Sequence, residues 1–282
     1  MIQGAWILSI VFLGLAGIGL IVLVHNRRQP VPTRQPCTNQ WRYFVQPQVN
    51  DASRVVGYEC LLRKKQADGT WSVPQEDNNL TLGQIRQLLV PTFSQLPETP
   101  ISLAVNLTYA QIVGHEFANF VHWMMHQIAP LYLTVEYRSD QVPGRLQQYH
   151  FLQNIRAAQD FGAKFAVDNV GSDLQALKHI EWLLPVVDVL KCSMAAFRKD
   201  DPSIWLHLNL GFWNQLAKER QINLVLTGVE TEEDAALARQ LKIQFRQGNL
   251  VGEPVEMPAV IPPTTQTALQ RPRDNRHVEH IE

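Results

Sequence analysis

Residues 101–136 read ISLAVNLTYAQIVGHEFANFVHWMMHQIAPLYLTVE, and this stretch decides the fold. A short β-rich run at 101–106 is followed by a longer amphipathic stretch at 109–127 and a second short run at 131–136. That order makes one strand–helix–strand unit. The alternation continues outward on both sides. Further β-rich runs lie at 164–168, 187–191 and 223–227, with a weaker one at 243–246. Helical patterns occupy 82–96, 142–161, 174–184, 205–220 and 232–241, and Pro91 predicts a kink or split in the first of them. Two strands at 41–47 and 54–62, joined by a turn at Asn50-Asp51, open the series. Repeated units of this size predict an α/β fold with a largely parallel sheet, either open and doubly wound or closed into a (β/α) barrel. No Gly-rich phosphate loop follows the first strand, so the dinucleotide-binding open sheet is disfavoured and the barrel preferred.

The runs end alike. Asn106, Glu136, Asp168, Lys191 and Thr227 close successive strands, and the first strand pair contributes Glu59 within Glu59-Cys-Leu-Leu-Arg63. In a parallel barrel all strand C-termini lie on one face, so residues far apart in sequence converge there. A single strand-end carboxylate is most often a helix cap. A set of them is a site. Three carboxylates and an amide held together would repel unless a hard cation sat between them, and oxygen donors of this kind suit magnesium or manganese rather than zinc. Lys191 has two readings: it orders a phosphate or a water, or it reaches outward from the rim.

The charge balance, 25 Lys and Arg against 26 Asp and Glu, excludes a general binder of nucleic acid polymers. Residues 1–24 carry no charged side chain, and the run from Trp6 to Val24 is long enough to cross a bilayer. Basic residues follow it, as Arg27, Arg28, Arg34 and Arg42, before the first acid at Asp51. A cleaved signal peptide has its basic residues in front instead. The sequence therefore predicts a single-pass transmembrane anchor at 1–25 in the cytoplasmic (inner) membrane, with the C-terminal domain in the cytoplasm. Three cysteines without a C-x-x-C pair supply neither a disulfide framework nor a zinc site, as expected of a reducing compartment. A polar linker with Pro30, Pro32 and Pro36 spans 26–38, the barrel domain 39–257, and a mobile Pro- and His-containing tail 258–282.

The motifs in this order resemble the EAL-domain family. Glu59-Cys-Leu-Leu-Arg63 is similar to its Glu-Ala-Leu signature, Val105-Asn-Leu-Thr108 to Val-Asn-Leu-Ser, and Leu133-Thr-Val-Glu136 to Glu-Leu-Thr-Glu. Asp168-Asn-Val-Gly171 resembles Asp-Asp-Phe-Gly, Val189-Leu-Lys191 the start of Lys-Ile-Asp, and Thr227-Gly-Val-Glu-Thr231 the motif Glu-Gly-Val-Glu-Thr. Gln247-Gly248 and Gly252-Glu-Pro254 resemble its closing motifs. The resemblance implies a (β/α)8-type, TIM-like EAL barrel with an irregular first strand. It also implies cleavage of one phosphodiester bond of cyclic di-GMP with two magnesium or manganese ions. By that resemblance Glu59, Asn106, Glu136 and Asp168 are ligands of the first metal. Lys191 stands beside the attacking water, and Arg63 and Gln247 touch the nucleotide. Family members often pair through barrel helices, so a homodimer is expected too.

The chain also departs from the family. Asn169 replaces the second Asp of Asp-Asp, and Thr227 the first Glu of Glu-Gly-Val-Glu. Both positions belong to the second metal, and neither replacement brings negative charge. Ser193 stands for the Asp of Lys-Ile-Asp and Val170 for the Phe, while Glu230 aligns with the second Glu and is no substitute for Thr227. The expectation is a complete first site and a weakened second one. The chain then acts by binding cyclic di-GMP or a protein partner; an active phosphodiesterase is the alternative.

Overall fold

The computed structural model describes residues 40–74, 80–93, 96–198 and 208–256. The predicted anchor, linker and tail lie outside the described residues. The chain divides into units 1–37 and 38–282, and every described residue belongs to the second.

Ten strands occur among the described residues: β1 (Trp41–Val49), β2 (Val55–Lys65), β3 (Trp71–Ser72), β4 (Ser102–Asn106), β5 (Tyr132–Arg138), β6 (Lys164–Val170), β7 (Val189–Ser193), β8 (Asn223–Thr227), β9 (Phe245–Gln247) and β10 (Val255–Glu256). The helices between them are α1 (Leu82–Phe93), α2 (Tyr109–Val113), α3 (Phe117–Ile128), α4 (Arg145–Asp160), α5 (Leu174–Ile180), α6 (Leu210–Arg220) and α7 (Glu232–Gln240). Neighbouring strands follow the order β1-β9-β8-β7-β6-β5-β4-β2, and β2 pairs back onto β1. The sheet thus closes as an eight-stranded barrel. Every pair within it is parallel except those of β1, which runs antiparallel to both β2 and β9.

The irregular strand has a local cause. β1 and β2 are joined by a tight turn in which the Asn50 side chain accepts hydrogen bonds from Ala52 N and Arg54 N. A turn this short permits only antiparallel pairing, whereas each later strand is reached through a crossover segment and can pair in parallel. Leu103, Leu133, Phe165, Leu190 and Leu226 are fully buried where helices cover the barrel wall. On α3 the buried residues Phe117, Phe120, Val121, Met124 and Ile128 recur at helical spacing and lay one stripe on the sheet.

The elements differ from the sequence expectations where small or cyclic residues intervene. The single helix expected at 109–127 is two, because Gly114 leaves the helical region at φ −69°, ψ 151°. A Cβ there would stand 3.0 Å from Ala110 O, so the close approach suits glycine. The helix expected from 142 starts at Arg145, after Pro143 and Gly144. The one expected through 184 tightens into a 3-10 turn at Glu181–Val186, which contains Pro185. Pro91 does not split α1; it lies near the helix end, two residues before Phe93. β3 and β10, each two residues long, are too short to leave a periodic signal. Gly248 holds the end of β9 against the loop after β8: at φ +156°, an added Cβ would lie 2.3 Å from Val229 N and O.

Candidate functional site at the strand-end face

Parallel strands align their C-terminal ends, and the sequence placed the polar residues there. Asn106 ends β4 opposite Glu136 of β5, and Asp168 of β6 pairs with Arg138 beyond it. Across the barrel, Glu59 of β2 pairs with Gln46 of β1, and Gln247 of β9 with Gln48.

Lys191 of β7 is the hub. Its Nζ donates to Glu59 Oε2 at 2.6 Å and to Glu136 Oε1 and Oε2 at 2.8 and 2.7 Å, and lies 4.0 Å from Asp168 Oδ1. Glu59 also accepts from Asn106 Nδ2 at 2.6 Å and from Gln247 Nε2 at 2.7 Å. Gln247 Nε2 donates to Gln46 Oε1 and its Oε1 accepts from Gln48 Nε2, both at 3.0 Å. The side chains of Lys191 and Glu136 are each 1% exposed, against 26% for Asp168.

The outward-reaching reading of Lys191 is therefore overturned: the ammonium is the internal counter-charge of the carboxylates. It sets one positive charge among three carboxylates. Among the described residues, no group of three or more His, Cys, Asp or Glu side chains stands ready-made around a metal position.

Three carboxylates facing one ammonium divide their charge unequally. Burial pushes Glu59 upward, but the Lys191 charge with the Lys191, Gln247 and Asn106 hydrogen bonds outweighs it and brings the carboxyl down to about 2. Glu136 goes the other way. Burial and the neighbouring Glu59 charge hold it well above the usual range, and Lys191 offsets them only in part. Burial likewise raises Asp168 against the pull of Lys191. For Lys191 burial favours the neutral amine, yet Glu136, Glu59 and Asp168 outweigh it and raise the group.

Glu59, Asn106, Glu136 and Asp168 bring only oxygen donors to one end of four adjacent strands, β2, β4, β5 and β6, a set whose chemistry fits one hard divalent cation. The positions of the second set do not fit another. Asn169 is exposed at φ +57°, and the Thr227 hydroxyl is turned back to donate to Cys192 O at 3.3 Å. The loop after Thr227 is held by internal contacts instead. Asp234 accepts from Glu230 N at 2.9 Å and Thr231 N at 3.1 Å, and it pairs with Arg198, which also donates to Gly228 O at 3.1 Å. The Glu230 carboxylate is exposed and accepts from Asn249 N at 3.4 Å.

Arg63 stands outside the carboxylate cluster. Its guanidinium is half-buried, donates to Leu62 O at 3.1 Å, and feels Glu59 while burial depresses it. Gln247, expected at the nucleotide, is 3% exposed with its amide fully engaged in the network. Gln46 and Gln48 were not foreseen. Their signal was available: two glutamines at period two in a strand that is otherwise apolar apart from Arg42, on the side where Glu59 faces. Cys60 and Cys192 are buried and free.

The family model of the EAL domain matches residues 34–254. Among solved structures, the chain is similar to an EAL domain protein from Listeria monocytogenes EGD-e. Identity there is 21% over 78% of this chain and 90% of that one, with a TM-score of 0.59. It is also similar to the Bacillus subtilis YkuI protein, which has an EAL domain and was solved with its substrate c-di-GMP and calcium. That match has 16% identity, 78% of this chain, 56% of that one and a TM-score of 0.60. A third is the FimX EAL domain from Pseudomonas aeruginosa bound to c-di-GMP, at 19% identity, 77% of this chain, 92% of that one and a TM-score of 0.58. At these identities the likeness is one of fold. No curated protein matches the chain by sequence.

Proposed function

The chain belongs to the EAL-domain family, and from that premise we propose a receptor for cyclic di-GMP that has lost phosphodiesterase activity. One observation carries the loss: both anionic positions of the second metal are gone, and what stands there, Asn169 and Thr227, is neutral and in Thr227's case tied to the backbone. The two-metal mechanism clamps the attacking and the leaving oxygen together, so one ion cannot do the work of two. A magnesium or manganese ion held by Glu59, Asn106, Glu136 and Asp168 would supply charge neutralisation for a bound phosphodiester. The chain's own cations support binding as well. Lys191 keeps its proton and offsets the carboxylate charge that a phosphodiester would otherwise meet, and Arg63 stands nearby with guanidinium donors free of any carboxylate partner among the described residues.

An active phosphodiesterase is the second reading, favoured by the complete set of Glu59, Asn106, Glu136, Asp168 and Lys191. Titrating the protein with cyclic di-GMP, with and without manganese, and assaying the linear product in the same tubes separates the two. Saturable binding without product is expected. Product at a steady rate overturns the loss of chemistry; absence of binding overturns the receptor and leaves a protein partner as the function of the barrel.

The reading includes a single-pass anchor with the barrel in the cytoplasm, on the strength of the charge-free run 1–24 and the arginines behind it. Full-length protein is expected in the membrane pellet after carbonate washing, and a chain lacking residues 1–28 in the supernatant. Full-length chain in the supernatant would refute the anchor.

A further inference from the structure

β2 outlasts the barrel. Its pairing with β4 stops at Cys60, yet the strand continues to Lys65 against β1 and β3. A ribbon therefore rises from the strand-end face beside Glu59, widened by β3 on one side and β10 on the other. Residues paired across antiparallel strands share a face, and that face returns every second residue. Gln46 with Glu59, Phe44 with Leu61, Arg42 with Arg63, and Trp71 with Lys65 are thus successive rows on one face. Gln46 and Glu59 belong to the buried network in the mouth, so the rows above them continue the mouth's wall outward.

Those rows interleave cations with aromatic rings. The Arg42 guanidinium lies 5.0 Å from the Trp71 ring centroid, Lys65 Nζ 6.0 Å from the same ring, and the Arg63 guanidinium 6.0 Å from Phe44. The two rings are 6.1 Å apart, and both are part-exposed. Arg42 sits directly opposite Arg63, an arrangement of like charges that destabilises a strand pair. Glu256 pairs with Arg42; neither Arg63 nor Lys65 has an ion pair among the described residues. A surplus of cations beside flat apolar faces is what a ligand with phosphodiesters and planar bases needs, since phosphates take the charge and bases stack.

We propose that this face is a second contact surface for the dinucleotide, holding the half that projects from the mouth. One base lies against Trp71 and Phe44, and the outer phosphodiester is met by Lys65. This rests on the receptor reading above; Arg63 is the one member that the family resemblance already links to the ligand. The bland account is that the rows only brace the ribbon through cation–π contacts, which contribute little at exposed positions.

The experiment is a calorimetric titration of the full chain with cyclic di-GMP, for wild type and for W71A, W71F, K65Q and K164Q, with each variant's melting curve recorded. Lys164 is exposed at the start of β6, the opposite end of the barrel, and serves as the control. W71A is expected to weaken binding about tenfold, in line with the loss of one base–aromatic stack. W71F should retain most of the affinity. K65Q should weaken binding and flatten its salt dependence, and K164Q should match wild type. If W71A and K65Q both bind within twofold of wild type, the surface is overturned while the receptor stands. If W71A melts early, K65Q decides alone. A wild type that binds nothing overturns both. A wild type that hydrolyses overturns only the loss of chemistry, and the surface is then judged on the variants' KM.

Discussion

Replacing Lys191 with methionine is expected to destabilise the barrel by about 3–5 kcal/mol at pH 7, the range for removing one partner of a buried ion pair. Methionine fills the space of the lysine stem, so the cost is not a cavity. It comes from Glu59 and Glu136, which lose the ammonium that each touches within 2.8 Å while both stay buried. Asn106 and Gln247 still donate to Glu59; Glu136 keeps no other side-chain donor among the described residues. Glu136 then responds by holding its proton, as burial and Glu59 already press it to do. The sign of the pH dependence follows. A carboxyl whose folded value lies above its unfolded one, about 4.3, contributes full stability only below that unfolded value. Its contribution falls as pH rises toward the folded value. The deficit of K191M should therefore shrink between pH 7 and pH 5, and a K191M/E136Q double variant should recover part of it at pH 7. Urea unfolding at the two pH values reads both effects. A K191M protein within 1 kcal/mol of wild type, by an estimate that only a surface pair would justify, would mean that the cluster does not brace the barrel.

The second large effect concerns chemistry. The N169D/T227E double variant is expected to gain manganese-dependent hydrolysis of cyclic di-GMP by about 100-fold over the parent, since metal-borne charge stabilisation amounts to several kcal/mol and each 1.36 kcal/mol is tenfold. The backbone tolerates both changes. Asn169 sits at φ +57°, a conformation that a short acidic side chain adopts nearly as well as an amide. Thr227 is part-exposed at the end of β8, where a longer side chain can reach past the strand once the hydroxyl's bond to Cys192 O is given up. Either single change returns only one charge, so most of the gain should need both. A parent already turning over at the double variant's rate would refute the proposed loss of activity. A double variant that binds manganese and cyclic di-GMP without cleaving it would instead show that Ser193 or Val170 also matters.

Much of this protein was legible along the chain because the decisive signals are local. The apolar runs ending at Asn106, Glu136, Asp168 and Lys191 are strands by their own composition, and α3 shows its buried stripe in its own periodicity. The helix boundaries were less legible. Gly114 divided one expected helix by leaving the helical backbone region, and β3 and β10 exist only through their partners.

By itself, then, the sequence determined the alternation of strands and helices, the strand-end position of the polar residues and the lack of charge at Asn169 and Thr227. Each of these depends on residue type and near neighbours. Only the tertiary structure decided that β1 closes the barrel against β9, that Lys191 lies within hydrogen-bonding distance of both Glu59 and Glu136, and that Gln46, Gln48 and Gln247 complete their network. Those outcomes join residues up to 201 positions apart, and local pattern can place a polar residue on one face of a strand but does not name the partner it meets at such separations.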